Sequence, residues 1–388
     1  MIDVERARRE TPGCAEVVHL NNAGAALPPA AVTDAVVGHL RLEERIGGYE
    51  AAEAAASEVD NAYAAIARLI GCAPGEVAVV ENATRGWDMA FYAYDLRPGD
   101  RVLTVRTEYA SNVIALLQVA RRTGAVVEVI ETDAHGLPSL DHLARELERG
   151  AALVAVTHVP THSGLVNPAA EIGALARAAG VPYLLDACQS VGQMPVDVAA
   201  IGCDMLAATG RKFLRGPRGT GFLYVSERLV QRLEPPFLDL HAATWTAPDA
   251  YEIRPDARRF ETWETNYAGK IGLGVAVDYA LGWGLDAIEA RVTALAEGLR
   301  DRLREVPGVS VRDEGTRRCG IVTFTVEGVP AAEVRRRLGA AGINTSVSPM
   351  EYARFDLAAR GLPDLVRASV HYYNTEEELD RLAAVLRQ

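Results

Sequence analysis

The feature that most constrains the fold is a stretch from about residue 75 to 225, where short apolar runs alternate with segments of helical period. VAVV (77–80), RVLTV (101–105), VVEVI (126–130), ALVAVT (152–157), VPYLLD (181–186), DMLAAT (204–209) and GTGFLYV (219–225) read as strands. Most lack polar alternation, as expected of strands covered on both faces. Between them lie amphipathic stretches such as 110–123 and 168–179, the second stopping at Gly180 before Pro182. Strand–helix alternation of this kind predicts an α/β fold, a mostly parallel sheet with crossover helices.

The pattern then changes. After a long helical region (269–306), GVSVR (308–312), IVTFTV (321–326), a helix over 330–341, INTSV (343–347), VRASVHYY (366–373) and a helix over 375–387 predict a smaller α+β unit. Asn374-Thr375 with Glu378 resembles a capping box for the last helix. The expected division is an N-terminal arm (1–25), a large domain (26–284) and a small C-terminal domain (285–388).

Composition narrows the function. Forty Lys+Arg against 52 Asp+Glu give a net charge of −12, so no protein-wide basic footprint for nucleic acid exists. No apolar run is long enough to span a bilayer, and the N-terminus MIDVERARRE is charged where a signal peptide is apolar. The five cysteines are scattered and include no CxxC pair, which fits a reducing cytoplasm rather than a disulfide framework. His158 and His162 stand four apart, but Pro160 and Gly164 make their segment a loop, so no metal site is expected.

Three constellations carry chemistry. TGRKFLRGPRGTG (209–221) places Arg211, Lys212, Arg215 and Arg218 within eight residues, with no acid among them. A loop of cations and glycines suits a bound anion such as a phosphate, although a solvated basic loop is the common alternative. YLLDACQSVG (183–192) delivers Asp186 to the C-terminal end of an apolar strand, where open α/β sheets bind ligands. Asp186 reads equally as a helix N-cap. VENATRG (80–86) opens a strand into a helix start that offers N–H groups and the Thr84 hydroxyl to an anion, with Asn82 as a plain N-cap otherwise. Their order is the more specific signal: ENATRG, TEYASN, LLDACQ, then TGRK with Lys212 lying 26 residues beyond Asp186.

On these motifs the chain resembles the class V aminotransferase family, pyridoxal 5′-phosphate (PLP) enzymes of fold type I. The resemblance runs from HLNNAG (19–24) to VRASVHYYNTEEELDRL (366–382). It implies PLP as cofactor, a large PLP-binding domain, and an arm reaching the active site and the small domain. Lys212 falls where the family binds PLP covalently, Asp186 where a carboxylate pairs with the ring nitrogen, and Gln189 where a neighbour meets the phenolic oxygen. Ala83 and Thr84 match the phosphate-binding turn, Thr209 the cofactor-site hydroxyl before the lysine, Arg367 the clamp for a substrate α-carboxylate, and Asn22, Ala23, Gly24 and Thr161 the rest of the substrate site. The roles suit the residue types, because guanidinium grips a carboxylate with two parallel hydrogen bonds and a lysine cannot. An amino-acid substrate and a homodimer are also implied, with ETWETNYAG (261–269) crossing the interface.

Departures shape the expected activity. Tyr109 occupies the ring-stacking position, Arg211 precedes the lysine, and Thr161 followed by His162 stands where relatives carry asparagine. Arg211 adds a fixed charge near the phosphate, and Glu264 sits where a partner's phosphate would be repelled unless it faces substrate or Arg211. INTSVSPMEYARF (343–355) has no cysteine where desulfurases carry their persulfide-forming nucleophile. HLNNAG, GGYEAAEAAA (47–56) and RKFLRGPRGTGFL lean toward the isopenicillin-N-epimerase-like and C–S lyase branch, including ergothioneine-pathway and lincosamide-type enzymes. The expectation is therefore β-elimination from an S-substituted cysteine, with transamination, epimerisation or decarboxylation-coupled deamination as alternatives. Cysteine desulfurase and a non-catalytic binding protein rank last.

Overall fold

The computed structural model describes residues 2–388. In chain order its strands begin with Val18–His19 (β1), Val77–Val80 (β2), Arg101–Val105 (β3), Val126–Ile130 (β4) and Leu153–Thr157 (β5). Tyr183–Asp186 (β6), Met205–Thr209 (β7) and Gly221–Val225 (β8) complete the large sheet, followed by a hairpin, Ala243–Ala247 (β9) and Ala250–Ile253 (β10). The last five are Val309–Val311 (β11), Ile321–Val326 (β12), Ile343–Asn344 (β13), Ser346–Ser348 (β14) and Leu365–Ser369 (β15).

The seven-stranded sheet has the order β2-β8-β7-β6-β5-β3-β4. Neighbours from β7 to β4 run parallel, and β8 alone opposes both of its neighbours. Alternate residues of each strand feed different apolar clusters: Leu103, Val154, Val156 and Leu185 one, Val102, Leu153, Ala155 and Leu184 the other. Both faces are thus covered, which explains the unbroken apolar runs. The chain reverses its direction of sheet growth between β3 and β5, and the C-terminal strand ends there form the crevice in which such sheets bind ligands.

A second sheet, β11-β12-β15-β14, is antiparallel throughout. The N-terminal segment joins it: β1 pairs in parallel with β13, and Asn21 bridges to Ser369. The helical region expected as one piece is two helices, Tyr267–Trp283 and Leu285–Arg304, bent by 79°. Gly284 makes the corner, its φ of 83° and ψ of 123° being outside the helical region and open to glycine alone at little cost. Thr375 and Glu378 form the expected capping box. No single helix is long and apolar enough to cross a membrane among the described residues.

Candidate active site

The parallel strands aim successive loops at one place. Tyr109 follows β3, Thr161 follows β5, Asp186 ends β6, and Lys212 follows β7. Arg367 comes from the other sheet, in the middle of β15. Asp186 is buried and does two things at once. Its Oδ1 accepts from the Cys188 N–H at 2.9 Å, the local turn an N-capping aspartate would make, while Oδ2 accepts from Asn112 Nδ2 at 3.0 Å.

Lys212 is 9% exposed. Burial lowers its pKa; the Cys188 and Asp186 groups oppose that fall, while Arg211 and Arg367 add to it. The sequence holds only two lysines, and the other, Lys270, is committed to Glu261 at 3.1 Å and the Tyr63 hydroxyl at 3.0 Å. Lys212 is thus the one amine available for covalent chemistry.

Arg367 donates from Nη1 to Thr161 O at 3.2 Å and to Thr161 Oγ1, and from Nη2 to Asn21 Oδ1 at 3.2 Å. Its Nε is buried without a partner. Burial and Arg211 bring its pKa down to about 10. Among the described residues, Lys212, Arg211 and Arg367 make no ion pair with any protein carboxylate. Buried cations without counter-charge are costly, so the site is built to receive an anionic ligand.

Gln189 Nε2 bonds Ala23 O and Thr161 Oγ1, both at 3.0 Å, leaving its buried Oε1 free for a hydroxyl such as the phenol of PLP. The nine-residue helix Ala83–Phe91 begins at the same edge, and Asn82 caps it through Arg85 N at 2.9 Å. That leaves the first-turn N–H groups of Ala83 and Thr84 for a phosphate. Thr209 Oγ1 instead donates to Thr220 O at 3.2 Å. The free first-turn amides, the orphaned Gln189 oxygen, the single available lysine and the carboxylate of Asp186 together fit PLP.

Other expected residues fall differently. Asn22 is fully buried, with Nδ2 on Ser369 O and Oδ1 accepting from the Tyr373 hydroxyl, so it ties the arm to the second sheet. Asn21, its neighbour, is the one that reaches Arg367. Ala23 and Gly24 contribute main-chain oxygens to Gln189 and Arg211. Arg215 does not join the anion site: its φ of 63° turns it inward, against Tyr373 at 4.6 Å and Tyr372 at 5.2 Å, with Nε on Leu27 O. Glu264 is exposed in a cleft that Glu81 and Arg85 also line. His371 is buried and bonded to Phe213 O at 2.8 Å. Sequence reasoning missed Glu108 and Asn112, which lie behind Asp186.

The aminotransferase class-V family model matches residues 18–382. The chain belongs to that family. A probable cysteine desulfurase of Methanothermobacter thermautotrophicus is 30% identical, across 99% of this chain and 97% of that one. Another from Xylella fastidiosa is 31% identical, across 99% and 95%. Among solved structures, an apo cysteine desulfurase from Thermococcus onnurineus is similar with a TM-score of 0.93 and 27% identity, covering 100% of this chain and 98% of that one.

The protein is a PLP-dependent class V enzyme with the type I fold. The expected lean toward epimerase-like proteins and conjugate lyases is corrected by these relatives, as is the ranking of desulfurases last. The physical reason is visible. GGYEAAEAAA lies around the mostly exposed helix Gly48–Ala54 and hydrogen-bonds to no site residue. RKFLRGPRGTGFL owes much of its pattern to packing of Arg215. Helix Gly48–Ala54 and Arg215 thus lie outside the site, unlike Arg211 and Lys212.

Proposed function

We propose that this enzyme removes the sulfur of L-cysteine, leaving alanine. The observation that carries this reading is the nearly full-length match to cysteine desulfurases, at 30–31% identity. The site supports it: a buried, unpaired guanidinium at Arg367 for the α-carboxylate, and one free amine at Lys212 beside it. When bound, PLP supplies an electrophilic carbonyl and an electron-withdrawing ring.

The chain's own groups do the rest. Arg367 anchors the carboxylate, Lys212 (its pKa lowered by burial) moves protons to and from the substrate carbons, and Asp186 holds the ring nitrogen. A thiol must take the sulfur: cysteine plus RSH gives alanine plus RSSH, the C–S bond breaking as the S–S bond forms and the carbon taking the proton. Segment 343–355 contains no cysteine, and the thiol nearest Lys212, Cys188, is pushed up to about 12 by burial. With no cysteine in that segment, the acceptor thiol in this reading comes from solution. A reducing cytoplasm supplies such thiols, and all five cysteines are free.

The test is product analysis after incubating the PLP-loaded protein with L-cysteine and a thiol reductant. Equal amounts of alanine and sulfide are expected. Pyruvate and ammonia in place of alanine would overturn the reading.

A further inference from the structure

Behind Asp186 lies a second buried carboxylate. Glu108, 3% exposed, belongs to the loop joining β3 to the helix Ala110–Thr123. Its Oε2 accepts from Thr157 N at 2.9 Å and Thr104 Oγ1 at 3.3 Å. Its Oε1 accepts from Tyr109 N at 2.9 Å, from Thr157 Oγ1, and from Asn112 Nδ2 at 2.8 Å. The same Asn112 nitrogen donates to Asp186 Oδ2 at 3.0 Å. One amide thus spans two carboxylates, one hydrogen to each.

Neither carboxylate has a protein cation within ion-pair distance among the described residues. Two buried, unpaired carboxylates joined by a neutral bridge are expensive unless a positive charge arrives. The protonated ring nitrogen of a bound PLP would be that charge.

We propose that Glu108 is a positioning residue of the cofactor site, which through Asn112 fixes the Asp186 carboxylate and adds the negative field that keeps the ring nitrogen protonated. This rests on the assignment of Asp186 to the ring nitrogen. Five donors aimed at Glu108 are more than packing needs, and they favour its anion. Burial pushes Glu108 up to about 7, the Thr157 hydroxyl opposes that, Asp186 adds to it, and Asn112 and Tyr109 N–H oppose it. The other ionisable group acting with it is the buried Tyr183, while Lys212 feels the charge of Asp186.

The test loads apoprotein with PLP labelled with nitrogen-15 in the ring and follows the ring-nitrogen shift with pH, without substrate. In Glu108→Gln and in Asn112→Ala the ring nitrogen is expected to deprotonate about one pH unit or more below wild type. Cofactor affinity should fall on the order of tenfold, as for other residues that orient a ligand's partner. Asp186→Asn is the control, with the largest drop. If Asp186→Asn shifts the titration and the other two do not, the relay is overturned while the Asp186 assignment stands. If Asp186→Asn shifts nothing, the assignment itself fails. A shift in Glu108→Gln without one in Asn112→Ala overturns coupling through the amide. Should Glu108→Gln fail to fold, Glu108→Asp takes its place: the shorter side chain draws the carboxylate back from Asn112, and an unshifted ring-nitrogen titration in that variant overturns the proposal.

Discussion

At Lys212 burial and the charges of Arg211 and Arg367 outweigh the opposing pull of Cys188 and Asp186, and the net effect is an amine easier to deprotonate than a surface lysine. Because Lys270 is the only other lysine and is held by Glu261, covalent attachment of PLP has a single candidate. Borohydride reduction followed by peptide mass spectrometry should place the adduct on Lys212 in the wild type and find none in Lys212→Ala. An adduct on Lys270 in the mutant would sink the assignment. Arg367→Lys should raise KM about tenfold or more with a smaller effect on kcat, because a point charge cannot replace two parallel hydrogen bonds. Equal KM values would remove Arg367 from the clamp. Cys188→Ser should keep at least half the rate when thiol is supplied, since its sulfur is not the acceptor; loss of turnover would make it one. Asp186 and the Lys212 loop were legible in the sequence because an apolar strand runs straight into the one and cations and glycines gather around the other, whereas Arg367, in the middle of β15, was marked only by the family resemblance. Glu108 was not legible, since a glutamate after Thr107 reads as a surface residue until β5 brings Thr157 onto it. The Asn21/Asn22 swap has the same root: the chain turns at these residues, and only the packing of that turn against β15 decides which of the two faces the site.

Elements were readable wherever one physical rule dominated. β5 and β6 lie where apolar runs put them, at 153–157 and 183–186, because burial on both faces erases polar alternation. The bend at Gly284 was hidden, because both flanking segments keep helical period and a single glycine is tolerated inside a helix. Hidden too was the tie between the two sheets. Asp356, in the helix Arg354–Ala359, is fully buried and lies 2.8 Å from Arg106 Nε, 3.1 Å from Arg360 Nη1 and 3.4 Å from His162 Nε2. Arg106 follows β3 and His162 follows β5, next to the Thr161 that braces Arg367. Burial alone would raise the Asp356 pKa; the His162 contact and the charges of Arg360 and Arg106 outweigh it and hold the group below 3.8. A depressed folded pKa gives stability that is full above 3.8 and lost as pH falls through the folded value. Asp356→Asn should cost about 1–3 kcal/mol near neutral pH, because Arg106 and Arg360 lose a buried charged partner but keep Glu314. It should also flatten the acid limb of the stability curve. Denaturant melts of both proteins from pH 3 to pH 7 test this, and an unchanged acid limb would contradict it.

For the whole molecule, the least satisfied part is the hairpin β9–β10 and its surroundings. Trp245 is 72% exposed, Leu240 74%, Phe237 61%, Trp263 56% and Tyr251 54%. Surface hydrophobes scattered singly need no explanation, but here they crowd segments 237–251 and 263. A two-stranded hairpin is also marginal on its own and needs packing to persist. Residues 261–269, which run from Glu261 into the helix Tyr267–Trp283, are adjacent in sequence to this surface and are the segment assigned above to a subunit interface. Both observations are met if a second copy covers the face, with the closed twofold symmetry commonest among oligomers. Sedimentation at micromolar concentration should therefore give twice the 41.6 kDa chain mass. The double substitution Trp245→Glu with Leu240→Glu should halve that mass while sparing the far-ultraviolet circular dichroism, since neither side chain is in the core. A wild-type species sedimenting at 41.6 kDa, with full activity, would mean that the exposed aromatics serve something other than self-association.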